Sequence, residues 1–513
     1  MRYDQRFSQF MICGLAAASF SVPAVSFADV TPEDVWADMS KYYEAYGYQM
    51  AGDQTRVGDT LVIDNMVLSM AFPEEEGSFS FSADKVVLTD LGDGTVSMAF
   101  PDSMPISVQV KPADEPPVDI TLDYRLNDVS IIASGAPDDM LYTFEGAGIA
   151  IELTDLAING ISIGNNVAYF LLNMDGVSGT ATTVSEEGFN KLAESIVAEN
   201  ITYKMNFADP ETGDTGAFSG SMTDTSVKLS SDMPEGVDPN DMQASLDAGM
   251  SGGILMDFAS STMIGTFTSK TEGDGTFNSS SAGGHYELSV SNKGMVIEGK
   301  AAETKTDMMT AEFPLPLSYS VGNSAFALKM PIVASEEEQM FNLGLTLADL
   351  EMSEMIWSMF DPQAALPRDP MTLDLGVSGY VLSELDFFDV EAMAALENSN
   401  EAPGEIRSLS LDRLRVNVLG AELTGEGGFT FDNSDMETFD GVPRPEGRIA
   451  LGLTGANAVL DKLGELGFIS PDDLMGARMM LGMFTIPAGD DSVTTTVEIN
   501  EQGHVIANGQ RIQ

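Results

Sequence analysis

Short runs in which apolar and polar residues alternate dominate this chain, and the clearest lies at 409–431. Leu409 and Leu411 alternate with polar neighbours, and Leu414, Val416 and Val418 do the same on the opposite parity. A strand has a side-chain period of two, so this shift at Asp412–Arg413 predicts a bulge or a strand that changes the face it buries. Gly420 and Gly425 to Gly428 then allow turns, and Leu423, Phe429 and Phe431 carry a return strand. Similar runs at 61–72, 78–91, 95–100, 106–110, 118–126, 129–134, 140–144 and 149–156 are separated by turn-forming clusters such as GDG and GAPDD. Asn159-Gly160 is a short hairpin signal. Further strands are expected at 201–207, 219–229, 254–333, 340–350, 371–382, 405–431, 447–454 and 493–512. Near-regular spacing of this kind favours an antiparallel meander over alternating β and α units.

A second pattern recurs at strand exits, in Leu88-Thr-Asp90-Leu91, Leu126-Asn-Asp128-Val129, Leu153-Thr-Asp155-Leu156 and Leu347-Ala-Asp349-Leu350. Leu411-Asp-Arg-Leu414 is related. Each sets two apolar residues three apart, the wrong spacing for one face of a regular strand. A bulge or crossing at these places lets a long sheet curl. The pattern has no fixed period, so it does not define a solenoid.

Helical periodicity is confined to a few segments. At 31–46, Thr31 suits an N-cap, Pro32 the first helical position, and Glu33 and Asp34 the positive end of the helix dipole. Val35, Met39, Tyr42 and Tyr46 share a face, with Trp36 and Tyr43 beside it. That face reads as a helix docking on a sheet, with an aromatic ligand box as the sharper alternative. Further helices are expected at 185–199, 241–248, 353–360, 390–397, 457–466 and 471–483. The fold class is therefore mainly β (β-rich α+β): long, curved, mostly antiparallel meandering sheets with a few amphipathic helices on their faces and ends. The domain reading is a signal peptide at 1–28 and an N-terminal β-rich lobe with its leading helix at 29–235. A central β meander at 236–370 ends in a helix and a Pro-rich connection, and a C-terminal lobe follows at 371–513.

The first 28 residues carry Arg2 and Arg6, an apolar run from Phe10 to Val25, and Ser26-Phe27-Ala28. This is a secretory signal with cleavage expected between Ala28 and Asp29, which places the mature chain in the periplasm or outside the cell. The one cysteine, Cys13, lies in that segment, so the remainder has neither disulfides nor thiol chemistry. No later run is long enough for a transmembrane helix, and two Trp and twelve Tyr are few for the aromatic girdles of a membrane barrel.

A formal net charge of −56 repels phosphate backbones, which excludes nucleic acid as a partner. Hydrophobic residues make up 43% of the chain, enough to set it apart from a disordered acidic polymer. Acidic turns at 90–94 and 432–435 have the composition to hold divalent cations loosely, though neither matches an EF-hand loop. With only His285 and His504 and no mature Cys, imidazole or thiolate metal sites are not expected, and no cofactor is assigned. Gly160-Ile-Ser162-Ile-Gly164 matches a nucleophile-elbow spacing, but that motif needs a strand–turn–helix context and Asn159-Gly160 marks a hairpin instead. No catalytic residue is assigned.

The stretches 357–370 (WSMFDPQAALPRDP), 404–431, 447–467 and 503–512, with 29–42 at the start, resemble DUF2125, a family of secreted bacterial proteins of unknown function. The resemblance implies no activity. It marks Trp357, Phe360, Asp361, Pro362, Leu366, Pro367, Arg368, Asp369 and Pro370 as a signature without an assigned role. Its two Asp-Pro steps bracket Arg368, which is positioned to pair with Asp361 or Asp369 in a rigid helix exit. The functional reading is a non-catalytic envelope binding or assembly factor whose curved sheet presents an apolar groove to a lipid or an envelope protein. The 32 Met residues suit such a surface. A secreted glycan or ester hydrolase and an acidic cation-binding structural protein are the alternatives.

Overall fold

A computed structural model of the chain describes residues 29–72, 77–111, 116–186, 188–271, 273–312, 315–389, 396 and 403–512. The expected signal segment and its Ala28 lie outside the described residues, as does the expected helix at 390–397 apart from Leu396.

Among the described residues, 27 antiparallel strands join into one hydrogen-bonded sheet. Many strands pair with the next in the chain, from Gln49–Val57 on Thr60–Ala71 to the closing strands Val505–Ala507 and Gln510–Arg511, while long strands such as Gly77–Asp90 take two shorter partners end to end, Val96–Ala99 and Ser103–Val110. Pairing continues through both expected lobe boundaries: Thr215–Pro234 binds Ser251–Phe258, and Gln339–Met352 binds Met371–Ser383. Asn159 and Gly160, both at positive φ, make the expected tight turn between Asp139–Ile158 and Ile161–Ile163.

Five helices are described. Helix α1 (Pro32–Ala45) begins on a capping box in which Thr31 and Asp34 satisfy each other's backbone N–H groups. Helix α2 (Met242–Asp247) is capped by Asp241, and α3 (Glu354–Phe360) ends at Asp361. Two more, Ala456–Glu465 and Pro471–Phe484, connect Arg444–Thr454 to Ile486–Gly489.

The expected helix at 185–199 is instead part of the strand Phe189–Ala208, paired along nearly its whole length on both sides. Its local helix propensity is overridden by two complete ladders, which satisfy every backbone group that a helix would satisfy internally. The separate strands expected at 140–144 and 149–156 are one strand, Asp139–Ile158. The strands Gln49–Val57 and Ala168–Glu186 have no counterpart among the expected elements.

The apolar pairs three residues apart mark the main architectural feature. In successive strands the ladder breaks for one residue at the same level. Gly176 lies between the rungs Asp175↔Asn200 and Val177↔Ala198, and so opposes Glu199. Glu199 in turn opposes Asp224, and Gly322 opposes both Glu303 and Asp349. Asp128, Gly176, Asp224, Glu303 and Asp349 all take left-handed φ values between 47° and 59°. Asn65 does the same in the second strand.

The break reverses the alternation, so the apolar residues on either side of it stay on one face: Ile63 and Met66 about left-handed Asn65, Leu126 and Val129 about Asp128, Leu347 and Leu350 about Asp349, and Ala198 and Ile201 about Glu199, which opposes left-handed Gly176 and Asp224. The residue at the break points outward, and Asn65, Asp128, Glu199, Asp224, Glu303 and Asp349 are all exposed. Asn and Asp are the side chains that tolerate this conformation best after glycine. The sheet thus bends along a single line toward its apolar face. Residues from both sides of the line pack together, as Val177, Ala198 and Ile201 do with Val129, Ile149, Met174 and Met222.

The break at Asp412 is a separate bulge. Gly376 pairs with Arg413 and Val377 with Leu411, leaving Asp412 without an opposite residue, and the ladder on the other side skips it as well. Leu153–Leu156 carries another bulge against Val118–Asn127, whereas Leu88–Leu91 only spans a strand end.

The largest core lies where α1 enters the bend. Val30, Val35 and Trp36 pack on Leu61, Ile63, Met66, Val86, Leu88, Val96, Met98 and Met140, all nearly inaccessible to solvent. A second core joins α2, through Leu246, to Met233, Met250, Ile332 and Val333.

Candidate functional groove

Helix α1 does two things along its length. Its first turns dock Val35 and Trp36 into the core, while its last turns present Met39, Tyr42, Tyr43 and Tyr46 to open space inside the bend. There they roof a cavity of about 550 Å³ whose floor is Met66, Leu68, Phe79, Phe81, Met104, Ile106, Tyr124 and Leu126. A second cavity of about 430 Å³ shares Met39, Tyr42, Tyr43, Phe100, Tyr124, Leu126 and Ile131 with the first. It runs on to Tyr142, Phe144, Leu192 and Ile196 across the bend line. Together they form one groove of the size that small apolar ligands occupy. The docking face expected for α1 is present, and so is an aromatic lining. The helical period brings out the first but does not show that the final turns overhang a void.

The rings are arranged as adjoining panels. Tyr42 lies 5.2 Å from Tyr43 and 5.0 Å from Tyr46, Tyr43 lies 6.1 Å from Tyr48, and Tyr48 meets Phe79 edge-on at 5.6 Å. These are favourable tilted and edge-to-face geometries. Tyr46 is fixed by a 2.6 Å hydrogen bond from its hydroxyl to Ser231.

Two carboxylates face the groove. Asp38 is buried and accepts hydrogen bonds on one oxygen from Tyr142 (2.6 Å) and Thr183 (2.7 Å), tying α1 to the far arm of the sheet. Burial pushes its pKa up, partly offset by those two hydroxyls. Glu194 shares the wall with Tyr42, Tyr43 and Tyr124, and burial raises its pKa too. The two phenols Tyr43 and Tyr124 are raised first by their own burial, with the charge of Glu194 adding to it. Glu194 accepts no hydrogen bond among the described residues. Sequence reasoning misses it because it occupies an inward position of a strand whose apolar pattern is helical.

The apolar face continues beyond the groove. Ladder partners Leu229, Ile254, Leu288, Ile297, Leu328, Leu343, Val377 and Leu411 share that face, strand after strand. Ile254, Leu288 and Leu343 are each about 40% exposed, so this row is a surface and not a core. The helix Pro471–Phe484 also leaves Met475, Met479, Met480 and Met483 largely exposed.

The signature residues lie elsewhere, at the exit of α3. Asp361 is buried and accepts from the backbone N–H of Ala365 (3.0 Å) and Leu366 (2.8 Å) and from Arg368 (2.6 Å). Arg368 also donates to the carbonyls of Leu366 and Asp361 and stacks 4.3 Å from the Trp357 ring. Of the two partners considered for Arg368, the structure uses Asp361. Asp369, Pro370 and Pro362 are exposed, Leu366 is buried, Pro367 sits near Gly420, and Phe360 packs on Trp357. Burial opposes ionisation of Asp361, but the hydrogen bonds from Arg368, Leu366 and Ala365 outweigh it and hold the pKa low. The clamp is satisfied from within except at Arg368 Nε, which is buried without a hydrogen bond, 3.5 Å from Glu354.

Other candidates are accounted for locally. Ser162 donates to Asp155 across its hairpin. His285 pairs with Asp257 at 2.7 Å. Asp90 and Asp93 accept from their own turn, while Asp432 and Asp435 accept from Arg444. Arg407, Arg413 and Arg415 pair with Glu405, Asp374 and Glu422. Among the described residues no three ligating side chains converge as for a metal ion, and no helix is long and apolar enough to cross a membrane.

Comparison with curated proteins finds no match. Among solved structures, the alcaligin outer membrane receptor FauA from Bordetella pertussis aligns over 90% of this chain and 68% of that chain, at 9% identity. Its TM-score of 0.14 carries no argument about fold or role. Residues 260–508 match the family model described as Uncharacterized protein conserved in bacteria (DUF2125), a span that includes the signatures at 357–370, 404–431 and 447–467 but not the stretch at 29–42.

Proposed function

We propose that this is a non-catalytic periplasmic binding protein that holds the apolar chain of a lipid-like molecule in the groove beneath α1. The observation that carries the reading is the pair of adjoining cavities lined by Met, Phe and Tyr at the bend of the sheet. Four of the methionines there, Met39, Met50, Met66 and Met104, are flexible side chains suited to an irregular apolar guest. The exposed row through Ile254, Leu288 and Leu343 offers a path along which a longer chain extends from the groove. Delivery to the periplasm follows from the signal expected at 1–28 and its cleavage before Asp29. The test is to purify the protein without detergent, extract it with organic solvent and analyse the extract by mass spectrometry. Lipid is expected in stoichiometric yield, and Leu126→Trp, which fills the shared wall of the two cavities, should reduce it. Repeated absence of lipid from the wild-type extract would overturn the reading.

A further inference from the structure

We infer that the groove beneath α1 selects a cationic amphiphile, with an alkylated ammonium group held among Tyr42, Tyr43, Tyr124 and Glu194 and its apolar chain laid along the Met66 and Phe81 side. This rests on the apolar-chain reading above and adds the chemistry of the head group.

Three observations converge on it. The groove wall holds two carboxylates and no Lys, Arg or His among the described residues that line it. An anionic head would therefore enter against like charge with no counter-ion to meet it. Asp38 is already engaged by two hydroxyls, but Glu194 accepts no hydrogen bond among the described residues and looks onto three phenol rings. A half-buried carboxylate in that position is an electrostatic deficit that a bound cation removes. The rings themselves supply the rest. Tyr42 and Tyr43 stand 5.2 Å apart at 72°, so their faces make two walls of a corner, and Tyr124 adds a third surface beside Glu194. Aromatic faces backed by a carboxylate attract soft, weakly hydrated ammonium groups through the ring quadrupole.

The test is isothermal titration at about 0.15 M salt, where the long-range attraction of the acidic surface is screened. Four twelve-carbon amphiphiles are compared below their micelle concentrations: dodecyltrimethylammonium, dodecylphosphocholine, dodecyl maltoside and dodecyl sulfate. The expected result is one site per chain, with the trimethylammonium compound bound about tenfold or more tighter than the maltoside or the sulfate. Dodecylphosphocholine binding as tightly identifies a choline-headed lipid as the source of the cation; its weaker binding identifies a simple amphiphilic ammonium.

Glu194→Gln keeps the shape of the side chain and should erase the preference, bringing the affinity for the trimethylammonium compound down to that for the maltoside. It removes one of 80 acidic residues, so diffuse attraction to the surface would not respond to it. Tyr43→Leu should weaken the cation more than the maltoside. Equal affinities for the cation and the maltoside, or a preference that survives Glu194→Gln, would overturn the inference while leaving the apolar-chain reading intact. Failure of all four compounds to bind at one site would overturn both.

Discussion

The attachment of α1 through Asp38 can be tested quantitatively. Tyr142 and Thr183, both half-buried, donate to the same oxygen, Oδ2. Asp38→Ala leaves two half-buried hydroxyl donors without their acceptor, at about 1–3 kcal/mol each, less the relief of no longer burying a carboxylate. A net loss of about 2–4 kcal/mol is expected. Asp38→Asn places an amide oxygen where Oδ2 was, keeps both hydrogen bonds in neutral form, and should lie within about 1 kcal/mol of wild type. The pH dependence has a definite sign. Burial raises the folded pKa of Asp38 above its ordinary value of 3.8, so between the two values the native state holds more protons than the unfolded one. Stability from this group therefore falls as pH rises from about 4 through the folded pKa, and Asp38→Asn should flatten that part of the profile. Trp36 is the natural reporter, since it sits in the docked face of α1 and Trp357 is the only other tryptophan. Urea unfolding followed by Trp36 fluorescence in a Trp357→Phe background measures the local transition. The argument fails if Asp38→Ala costs less than about 0.5 kcal/mol, or if Tyr142→Phe costs as much in the Asp38→Ala background as in wild type, because then the pair is not coupled.

Further outcomes are expected from the same structure. Trp357→Ala should lose about 3–5 kcal/mol by urea denaturation, because it empties a buried site and removes the surface on which Arg368 stacks. Asp361, whose folded pKa is held below 3.8, contributes stability that is present above that value and lost as pH falls through the folded pKa; an acid-unfolding curve of Asp361→Asn should lack that segment. Gly176→Ala should cost about 1–2 kcal/mol because φ is +59° there, whereas Asp349→Gly, at a position already left-handed, should be neutral or stabilising in the same urea assay. Melting temperature should climb with NaCl as self-repulsion is screened, and calcium at matched ionic strength should add nothing further, which separates screening from specific cation binding.

What is legible in the sequence is what local rules control. The N-cap at Thr31, the helices expected at 241–248 and 471–483 and the Asn159-Gly160 turn are each set by residues within a few positions, and each appears in place. The register shift at Asp412 is readable too, because a parity change has no other meaning in a strand. Residues 189–199 mislead for the opposite reason. Phe189, Leu192 and Ile196 fit a helical stripe, and Glu194 interrupts the alternation that would mark a strand. Only the ladders on both sides, supplied by residues up to some 45 positions away, decide between the two. The groove is illegible for a related reason. Its aromatic residues come from α1 and from strands spread over 29–196, and nothing in their spacing says that they meet.

The short apolar–x–Asp–apolar pattern connects sequence to function more directly than any single residue in the groove does. An uninterrupted alternation along these strands would keep the apolar face flat, and a flat sheet offers one helix a surface but no enclosure. A left-handed Asp, Glu, Asn or Gly, in the strand itself or in the one beside it, marks where parity reverses, which holds the apolar residues inside while the sheet turns toward them. The same reversal sends the carboxylates at the breaks outward, where water screens them. The inner side receives few charges, and the two that line the groove, Asp38 and Glu194, therefore dominate its chemistry. One of them anchors the helix that closes the groove. The other is left to define what the groove will accept.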